Sequence, residues 1–404
     1  MKTKHKLLSI ILLHFSTISY AELTVDFSLI IQPVFNDYKD EANFGVPENI
    51  IPKPYKKSSQ VLEISSKFKG LSFLGNIKHD YAEDQDSETD ENINEIYYDF
   101  NLAGLEWSLG KKIISYGVGY GSRPLDIFAT KSQQSTDQTS PYGIKQIGID
   151  YFKDLSNISL VVANPHQEKT DRGEDLQSTA LRYFNSFESF DMQALIAYND
   201  ENKTQAGAGL VYILTDAMSV HSSFLHRKNI YKQIHNGLIL NTEYPYQNKL
   251  YEDSTKWLAG GNWMMADKHN LIFEYWFDDL ALSTDQWSDL FNNVTQQQAL
   301  LMSPVPAEVV YNNLAWSAKA LDTEHLMQKN LYLRYEYSPL DIKIQNALLY
   351  APDDAGFIWT TSFEKDLQSF KIYGGVRHFG GDEKSVYYKL PIKNQLFMTA
   401  TINF

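Results

Sequence analysis

The feature that most restricts the fold is the alternation of apolar and polar residues in the chain's final segment, NQLFMTATINF. Every second residue, counted back from the end, is apolar: Phe404, Ile402, Ala400, Met398 and Leu396. The intervening residues are polar, with Phe397 as the exception. An alternation with a period of two indicates a β-strand whose two faces meet different environments. Because chain ends usually fray, a pattern that continues to the last residue predicts a strand held in a sheet, with an apolar environment outside it.

Residues 1–21, MKTKHKLLSIILLHFSTISYA, have the composition of a secretory signal peptide. A lysine-rich start precedes a short apolar stretch, and Ser19 and Ala21 supply the small residues before Glu22. The apolar stretch is well short of the roughly 20 residues that a spanning helix needs. We therefore predict export, cleavage after Ala21 and a mature chain of 22–404. The sequence has no cysteine, so an exported domain must be held without disulfides, as a closed hydrogen-bonded barrel is.

Segments of strand character recur along the whole mature chain, and most are close to the 9–11 residues that cross a bilayer when tilted. The candidate strands are 23–34, 58–68, 71–82, 93–103, 105–114, 143–152, 156–164, 175–187, 189–198, 203–213, 216–227, 254–266, 268–278, 329–338, 340–350, 356–366, 368–378 and 393–404. Aromatic residues make up 14% of the chain although its mean hydropathy is −0.37, a combination that suits strands with one wet face.

The connections between these strands alternate between short and long. Short turns fall at Lys69-Gly70, Ala103-Gly104 and Asp154-Leu155, and long segments at 35–57, 115–142, 228–253 and 279–328. This asymmetry is typical of outer-membrane barrels, which have short periplasmic turns, long extracellular loops and an even strand number. We predict an all-β transmembrane antiparallel barrel of about eighteen strands, with sixteen as the alternative count. A soluble sandwich or propeller predicts neither the terminal Phe404 nor the loop asymmetry, and no blade-length repeat occurs.

The stretch GKKIISYGVGYGSRPLDIF, residues 110–128, is the most distinctive part of the chain. Gly117, Gly119 and Gly121 stand at alternate positions, but not in the strand-to-helix setting of a dinucleotide-binding loop. Such glycines permit a close approach by another segment. Pro124 restrains the backbone and favours a bend. We therefore expect a loop here that packs closely inside the barrel and narrows it.

This stretch also resembles one found in Gram-negative porin-like barrels, including the alginate-export type. In those barrels a strand rich in Gly and Lys or Arg leads to a Trp-Gly pair and then to a Pro-x-Asp turn. The matching residues are Gly110, Lys111, Lys112, Tyr116-Gly117 and Pro124-Leu125-Asp126. The terminal strand ending in Phe404 resembles the assembly signal of Gram-negative outer-membrane proteins. The resemblance implies a substrate-passing barrel in the cell outer membrane of a Gram-negative bacterium, in contact with lipid and lipopolysaccharide and assembled through Phe404 by the barrel-assembly machinery.

The polar faces of the strands predict which charged side chains point into the lumen. They are Asp26, Glu63, Lys67, Asp99, Glu106, Lys112, Asp150, Arg182, Arg227, Glu274, Arg334, Glu336, Lys371 and Arg377. Rings of such charges tune the selectivity of pores; the alternative is that they pair across adjacent strands and only fill the wall. The candidates for the pore and its constriction are Lys112, Arg123, Asp126, Arg182, Glu274, Arg334, Glu336, Lys371 and Arg377.

Aromatic residues near the strand ends predict belts at the membrane interfaces. The expected members are Tyr81, Tyr97, Tyr151, Tyr198, Tyr212, Trp276, Tyr337 and Tyr350. His79, His221 and His226 are likewise expected in strands or belts. His221 with Ser223 gives no specific signal of a nucleophile and base, and no G-x-S-x-G motif occurs.

Two of the long connections have a character of their own. In the segment 283–318, Ser283 and Gln286 have capping-box spacing, and apolar residues at helical spacing follow. Its two helices form either a lid or plug in the lumen or a rim that packs on the outer loops. The acidic segment 82–95 lacks the glycine-centred calcium loop, so a solvated loop is favoured over a site for a divalent cation.

These observations predict an outer-membrane channel for the passive passage of small or oligomeric hydrophilic solutes, with no enzymatic activity and no cofactor or metal. A gated export channel for a polysaccharide or peptide and a closed structural or adhesin barrel are the alternatives. The formal net charge of −14 argues against nucleic acid as a partner.

Overall fold

The computed structural model describes residues 23–128, 139–164, 177–241, 243–266, 268–323 and 325–404. The predicted signal peptide and the first two residues of the predicted strand 175–187 lie outside these ranges. The described part of the chain contains eighteen strands and three short α-helices. No helix in it is long and apolar enough to cross a membrane.

The strands follow one another around a single sheet. They are β1 Leu23–Tyr38, β2 Lys56–Phe68, β3 Leu71–Ala82, β4 Glu88–Leu102, β5 Leu105–Lys112, β6 Ile144–Lys153, β7 Ser156–Ala163, β8 Ser178–Ser186, β9 Phe190–Asn199, β10 Lys203–Thr215, β11 Met218–His235, β12 Tyr246–Ala266, β13 His269–Asp278, β14 Lys329–Tyr337, β15 Ile342–Ala351, β16 Gly356–Asp366, β17 Phe370–Gly380 and β18 Ile392–Asn403. The helices are α1 Thr284–Ala299, α2 Ala307–Ala318 and α3 Val386–Lys389. Each strand pairs antiparallel with the next, and β18 pairs with β1. The predicted closed eighteen-strand barrel is therefore confirmed.

The closure between β1 and β18 explains why the terminal segment keeps its pattern to the end. The two strands pair from Ser28 with Asn403 onward, and the backbone N–H of Phe404 donates to the carbonyl oxygen of Phe27 at 2.9 Å. Leu396 and Met398 stand on the exposed outer face. In a bilayer every backbone polar group needs a partner, which a closed barrel supplies. The apolar environment inferred from the sequence is therefore the outside of this wall.

The exception in the terminal pattern, Phe397, points inward. Its side chain is only 2% exposed. Its ring packs against Tyr373 at a centroid distance of 5.5 Å and covers Gly375, where an added Cβ would lie 2.9 Å from the ring. A glycine on β17 thus makes room for an aromatic ring on β18. The polar pattern is interrupted because this stretch of the inner wall is packed rather than wet.

The two ends of the barrel differ as predicted. At the end near the chain termini, called here the short-turn end, eight connections have two to four residues each. The opposite, long-loop end carries L1 (39–55), L3 (113–143), L6 (236–245), L7 (279–328) and L9 (381–391). The main differences from the sequence-based bounds are at 83–92 and 228–253, because β4, β11 and β12 extend into them as paired strands. These extensions are held by backbone hydrogen bonds between paired strands, which form whether or not the side chains are charged.

The aromatic belt is confirmed in part. Tyr81, Tyr151, Tyr198, Tyr212 and Tyr337 are exposed on the outer face. The predictions for Trp276 and Tyr97 are wrong: Trp276 is fully buried on the inner face, and Tyr97 lies inside under the ammonium of Lys112, 4.5 Å from its ring centroid. Strand alternation, rather than height along the barrel, decides which side a residue faces.

The core of the long-loop end joins three loops to the inner wall. Ser283 caps α1, and its Oγ accepts from Gln286 N while Gln286 Oε1 accepts from Ser283 N. Side chains of α1 and α2 pack with Phe44 and Val46 of L1, Val386 and Tyr387 of L9, and the inward-facing Leu258, Trp276 and Leu349. L7 therefore packs on other loops and also on the inner face of the barrel mouth, which combines the two arrangements considered from the sequence.

Candidate functional site

The loop L3 lies inside the barrel and forms the candidate site; its described residues are 113–128 and 139–143. Its apolar anchor is Leu125, which is 0% exposed and packs against Ala180, Leu195 and Leu225 on the inner wall. Gly207 of β10 makes room for it, since a Cβ there would lie 2.5 Å from Leu125 Cδ2. L3 therefore sits in a depression of the wall formed by β8 to β11.

A second contact joins the middle of L3 to β13. Glu274 Oε1 accepts from the backbone N–H of Tyr120 at 2.7 Å, and Oε2 accepts from that of Gly121 at 2.6 Å. Glu274 is 0% exposed. Hydrogen bonds to an ionised acceptor are roughly twice as strong as neutral ones. The side chain predicted to line the pore thus faces inward, but L3 covers it.

A histidine on β11 completes this contact. His221 Nε2 donates to Glu274 Oε1 at 2.7 Å. The two residues are on strands separated by β12, where Gly260 pairs with both. A Cβ at Gly260 would lie 2.7 Å from both Glu274 Cγ and His221 Nε2. The missing side chain therefore opens the path between them, and His221 belongs neither to a belt nor to a catalytic pair.

Two further wall carboxylates hold the ends of L3. Glu95 on β4 accepts from the backbone N–H of Ile113 at 2.8 Å. Glu63 on β2 accepts from the backbone N–H of Ser140 at 2.8 Å and from its Oγ at 3.0 Å. The start, the middle and the return of L3 are therefore each held through backbone amides by a different glutamate.

Within L3, Asp126 closes a tight bend. Its Oδ1 accepts from the backbone N–H groups of Tyr116 and Gly117, both at 2.5 Å, and Ser115 Oγ donates to it as well. Arg123 Nη1 lies 3.8 Å from Asp126 Oδ2. The Asp126 side chain is only 4% exposed, whereas that of Arg123 is 33% exposed. Asp126 thus shapes the loop, and Arg123 presents its charge to the lumen.

The three alternating glycines permit three different close approaches. A Cβ at Gly117 would meet the Arg123 side chain at 2.3 Å, one at Gly119 the carbonyl oxygen of Ser122 at 1.9 Å, and one at Gly121 the Trp276 ring at 2.9 Å. They lie in L3 beyond the end of β5 and do not share one strand face. The expected close packing is present, and it is packing of the loop on itself and on the wall.

Arg182 on β8 is held between two aromatic rings. Its guanidinium lies 5.0 Å from the ring centroids of both Tyr116 and Phe184, and its Nε donates to Gln193 Oε1 at 2.8 Å. Gln193 Nε2 in turn donates to the Tyr116 carbonyl oxygen at 2.5 Å. Burial raises the pKa of the Tyr116 phenol to about 12, although the Arg182 charge opposes this shift. The phenol stays neutral, and the cation is the charged group of this cluster.

Arg334 on β14 forms the corresponding cluster on the other side of L3. Its guanidinium lies 5.1 Å from the Tyr120 ring centroid. The same ring meets His221 edge-on at 5.7 Å. L3 therefore bridges two arginines through two of its tyrosines. The sequence reasoning identified both arginines, but it named Tyr116 only in the resemblance to porin-like barrels and did not name Tyr120. Their place among the glycines was the available signal.

The remaining predicted residues lie on the inner face away from the middle of L3. Lys112 pairs with Asp99 at 3.2 Å, Glu336 with Lys343 at 3.3 Å, and Lys371 with Glu364 at 3.0 Å. Arg377 Nε donates to Thr360 Oγ1 at 3.1 Å. These contacts are the cross-strand pairing considered from the sequence. The role of these side chains in solute passage stays a prediction.

Part of the inner face outside the L3 contacts is wet. The side chains of Asp99, Lys112 and Lys371 are 47%, 31% and 39% exposed. Asp26, Lys67 and Glu106, nearer the short-turn end, are exposed as well. Charged groups that point into a barrel and remain accessible require a solvated lumen. Among the described residues, no group of three or more His, Asp or Glu is placed to hold a metal ion.

Comparison with solved structures finds the same fold over almost the whole chain. Acinetobacter baumannii OccAB1 matches with a TM-score of 0.56 and 10% identity, over 96% of this chain and 99% of that one. Pseudomonas aeruginosa OccK5 (OpdH) matches with a TM-score of 0.55 and 8% identity, over 95% and 98%. Pseudomonas aeruginosa OccK8 (OprE) matches with a TM-score of 0.53 and 6% identity, over 95% and 97%. No protein-family model and no curated protein matches the sequence. The likeness shows a porin-like outer-membrane barrel fold.

Proposed function

We propose that this protein is an outer-membrane channel for the passive passage of small or oligomeric hydrophilic solutes. The observation that carries the proposal is a closed barrel whose lumen is narrowed by L3 while charged inner side chains, such as Lys112 and Asp99, remain solvated. Arg123, Arg182 and Arg334 lie along L3 and supply the charges nearest to a passing solute. The likeness to Occ structures supports the same class of fold.

The proposed location is the outer membrane of a Gram-negative bacterium, with the short-turn end in the periplasm. The predicted signal peptide would direct export, and the terminal strand ending in Phe404 would be recognised by the barrel-assembly machinery. The exposed apolar outer face, with residues such as Phe273, Leu333 and Met398, would contact lipid, and the long-loop end would contact lipopolysaccharide. No enzymatic step is proposed for this site.

Single-channel recording of the refolded mature chain in a planar bilayer tests the proposal. Folding is checked first by heat-modifiable mobility on a gel. We expect steady open levels and, under a salt gradient, a reversal potential that reports the charge of the lumen. A bilayer that stays silent with folded protein would contradict the channel function and favour a closed structural barrel.

One observation favours a gated form of the same channel. The α1 and α2 helices pack on inward-facing Trp276 and Leu349 at the barrel mouth, so L7 covers part of the entrance. Deletion of 283–318 tests this directly. We expect larger or more frequent open levels than in the full chain; identical currents would show that L7 is only a rim.

A further inference from the structure

Glu274 is an unusual inner-wall carboxylate, because it is fully buried and accepts hydrogen bonds from three donors. It accepts from the N–H groups of Tyr120 and Gly121 and from His221 Nε2, at distances of 2.6 to 2.7 Å. A carboxylate offers two oxygens that only accept hydrogen bonds. A neutral glutamine at the same place would turn an NH2 group toward at least one of these donors. The charged form of Glu274 therefore fits its surroundings in a way that its amide isostere does not.

The Glu274 contact holds the middle of L3, at a place where the other contacts of the loop do not. Leu125 fixes L3 to the wall of β8 to β11, and Glu95 and Glu63 fix its two ends near β2 and β4. Glu274 is the carboxylate that holds the segment around Tyr120 on the β13 side, whereas Glu95 and Glu63 act from β4 and β2. The lateral position of this segment, and hence the free width of the lumen beside it, depends on that anchor.

The Tyr120 ring links the position of these amides to the Arg334 charge. The Tyr120 ring lies over Arg334 and edge-on to His221. Any shift of the backbone at Tyr120 and Gly121 moves this ring away from the guanidinium. The anchor therefore also determines how much of the Arg334 charge the ring covers.

We propose that Glu274, with His221 and Gly260, is a positioning residue that sets the width of the constriction by holding L3 to the wall through the Tyr120 and Gly121 amides. It acts through the loop and does not contact the solute. This inference rests on the channel function proposed above. It differs from the prediction made from the sequence, in which Glu274 contributes its own charge to the pore.

The first test combines hydrogen exchange and conductance on the full mature chain with Glu274→Gln. We expect the Tyr120 and Gly121 amides to exchange at least about tenfold faster than in the unmodified chain, because both lose a charged acceptor. We also expect current levels that the unmodified channel lacks, since the loop can take more than one position. The matched control is Glu364→Gln, which removes an inward-facing carboxylate that pairs with Lys371 rather than with L3.

A second variant separates the anchor from a pure charge effect, and gel mobility checks that it folds. Gly260→Ala keeps every charge but places a Cβ 2.7 Å from Glu274 Cγ, from His221 Nε2 and from the carbonyl oxygen of Phe273. The neighbouring Gly261→Ala is its control, because a Cβ there meets nothing closer than Ser219 O at 3.3 Å. We expect Gly260→Ala to reproduce the fast exchange and added current levels, and Gly261→Ala to behave as the unmodified chain.

The outcomes separate this inference from the function on which it rests. If Glu274→Gln and Gly260→Ala, folded by gel mobility, show the exchange rates and current levels of their controls, Glu274 does not position L3. If the unmodified chain passes no current, the channel function fails, and the exchange rates alone decide on Glu274. Fast exchange confined to residues 117–124 supports the anchor, whereas fast exchange throughout the barrel in both variants overturns it.

Discussion

The inner wall has two regions with the same strand pattern and different side chains. The covered wall, β8 to β13, lies under L3 and presents small or apolar residues such as Ala180, Gly207 and Leu258, with its carboxylate Glu274 fully buried. The bare wall, β14 to β18 and β1 to β5, carries solvated ion pairs such as Lys371 with Glu364. On the covered wall, the Glu274 carboxylate holds L3 and has no exposed surface. On the bare wall, Glu63 and Glu95 hold the ends of L3, whereas pairs such as Lys112 with Asp99 stay exposed to the lumen.

The largest effect is expected from breaking the apolar contact of the covered wall. Leu125→Asp places a carboxylate in a site with no exposed surface, and an unpaired buried charge is not tolerated. We expect L3 to leave the depression, which single-channel recording would detect as a changed conductance and hydrogen exchange as a loss of protection over 113–128. Leu280→Asp, at an exposed position, is the control. Unchanged current and protection in Leu125→Asp would show that the covered wall does not need this contact.

Charge reversal on the bare wall should change selectivity while leaving L3 in place. Lys112→Glu exchanges a 31% exposed ammonium for a carboxylate beside Asp99. In a tenfold salt gradient we expect the reversal potential to move toward cations, because rings of acidic side chains favour cation passage. Glu274→Gln changes the charge by half as much and in the opposite sense, so the two shifts are compared per unit of charge. We expect the shift per unit of charge to be smaller for Glu274→Gln, since that carboxylate has no exposed surface. Equal shifts per unit of charge would remove the distinction between the two walls.

A pH effect is expected at the rim of the bare wall, where L1 meets L9. Lys39 donates to the carbonyl oxygens of Tyr388 and Leu390. Burial, with the nearby Lys389 and Lys393 charges, lowers the pKa of Lys39 to about 8 from 10.5. Between these two values the unfolded chain binds more protons than the folded one, so this contact gains stability as the pH rises from about 8 to 10.5.

Hydrogen exchange of L1, corrected for the intrinsic pH dependence, measures this effect. We expect protection of residues 39–45 to increase between pH 7.5 and 9.5. Lys39→Met should remove the pH dependence while Lys384→Met, on the exposed part of L9, should leave it intact. Protection that falls with rising pH would reverse the sign and contradict the assignment to Lys39.

The smallest effect is expected from the ion pairs of the bare wall. Glu364→Gln breaks a pair whose side chains are 32% and 39% exposed. Such solvated pairs contribute about 0–1 kcal/mol. Thermal unfolding in detergent should therefore change little. A loss well above about 1 kcal/mol would mean that the bare wall is also held by its charges.

The strands were predictable because their signal is local. Residues such as Val25 and Phe27 alternate with polar neighbours, and short turns such as Lys69-Gly70, with φ of 45° and 87°, mark where the chain reverses. Each of these features lies within a few residues of sequence. All eighteen candidate strands correspond to strands of the barrel. The bounds failed at β4, β11 and β12, where strands continue beyond the wall as paired ribbons.

The candidate site was predictable only as a set of residue types. The alternation placed Glu274, Arg182 and Arg334 on the inner face, and the glycines of 110–128 indicated a closely packed loop. Neither pattern shows which stretch of wall L3 covers, because Tyr120 and Glu274 are 154 residues apart in sequence. Trp276 was misleading for the same reason, because distant loops pack on its inward position. Phe397 was misleading because its ring fills the space that Gly375 leaves on the neighbouring strand.

The sequence by itself determined a closed barrel with a wet interior, an apolar exterior and a distinctive third loop. Strand alternation, turn residues and connection lengths act over short distances and need no knowledge of partners. Only the tertiary structure decided which inner charges hold a loop and which meet water. That division depends on desolvation, since a carboxylate such as Glu274 is buried by contacts that exist only after distant strands have closed the barrel around L3.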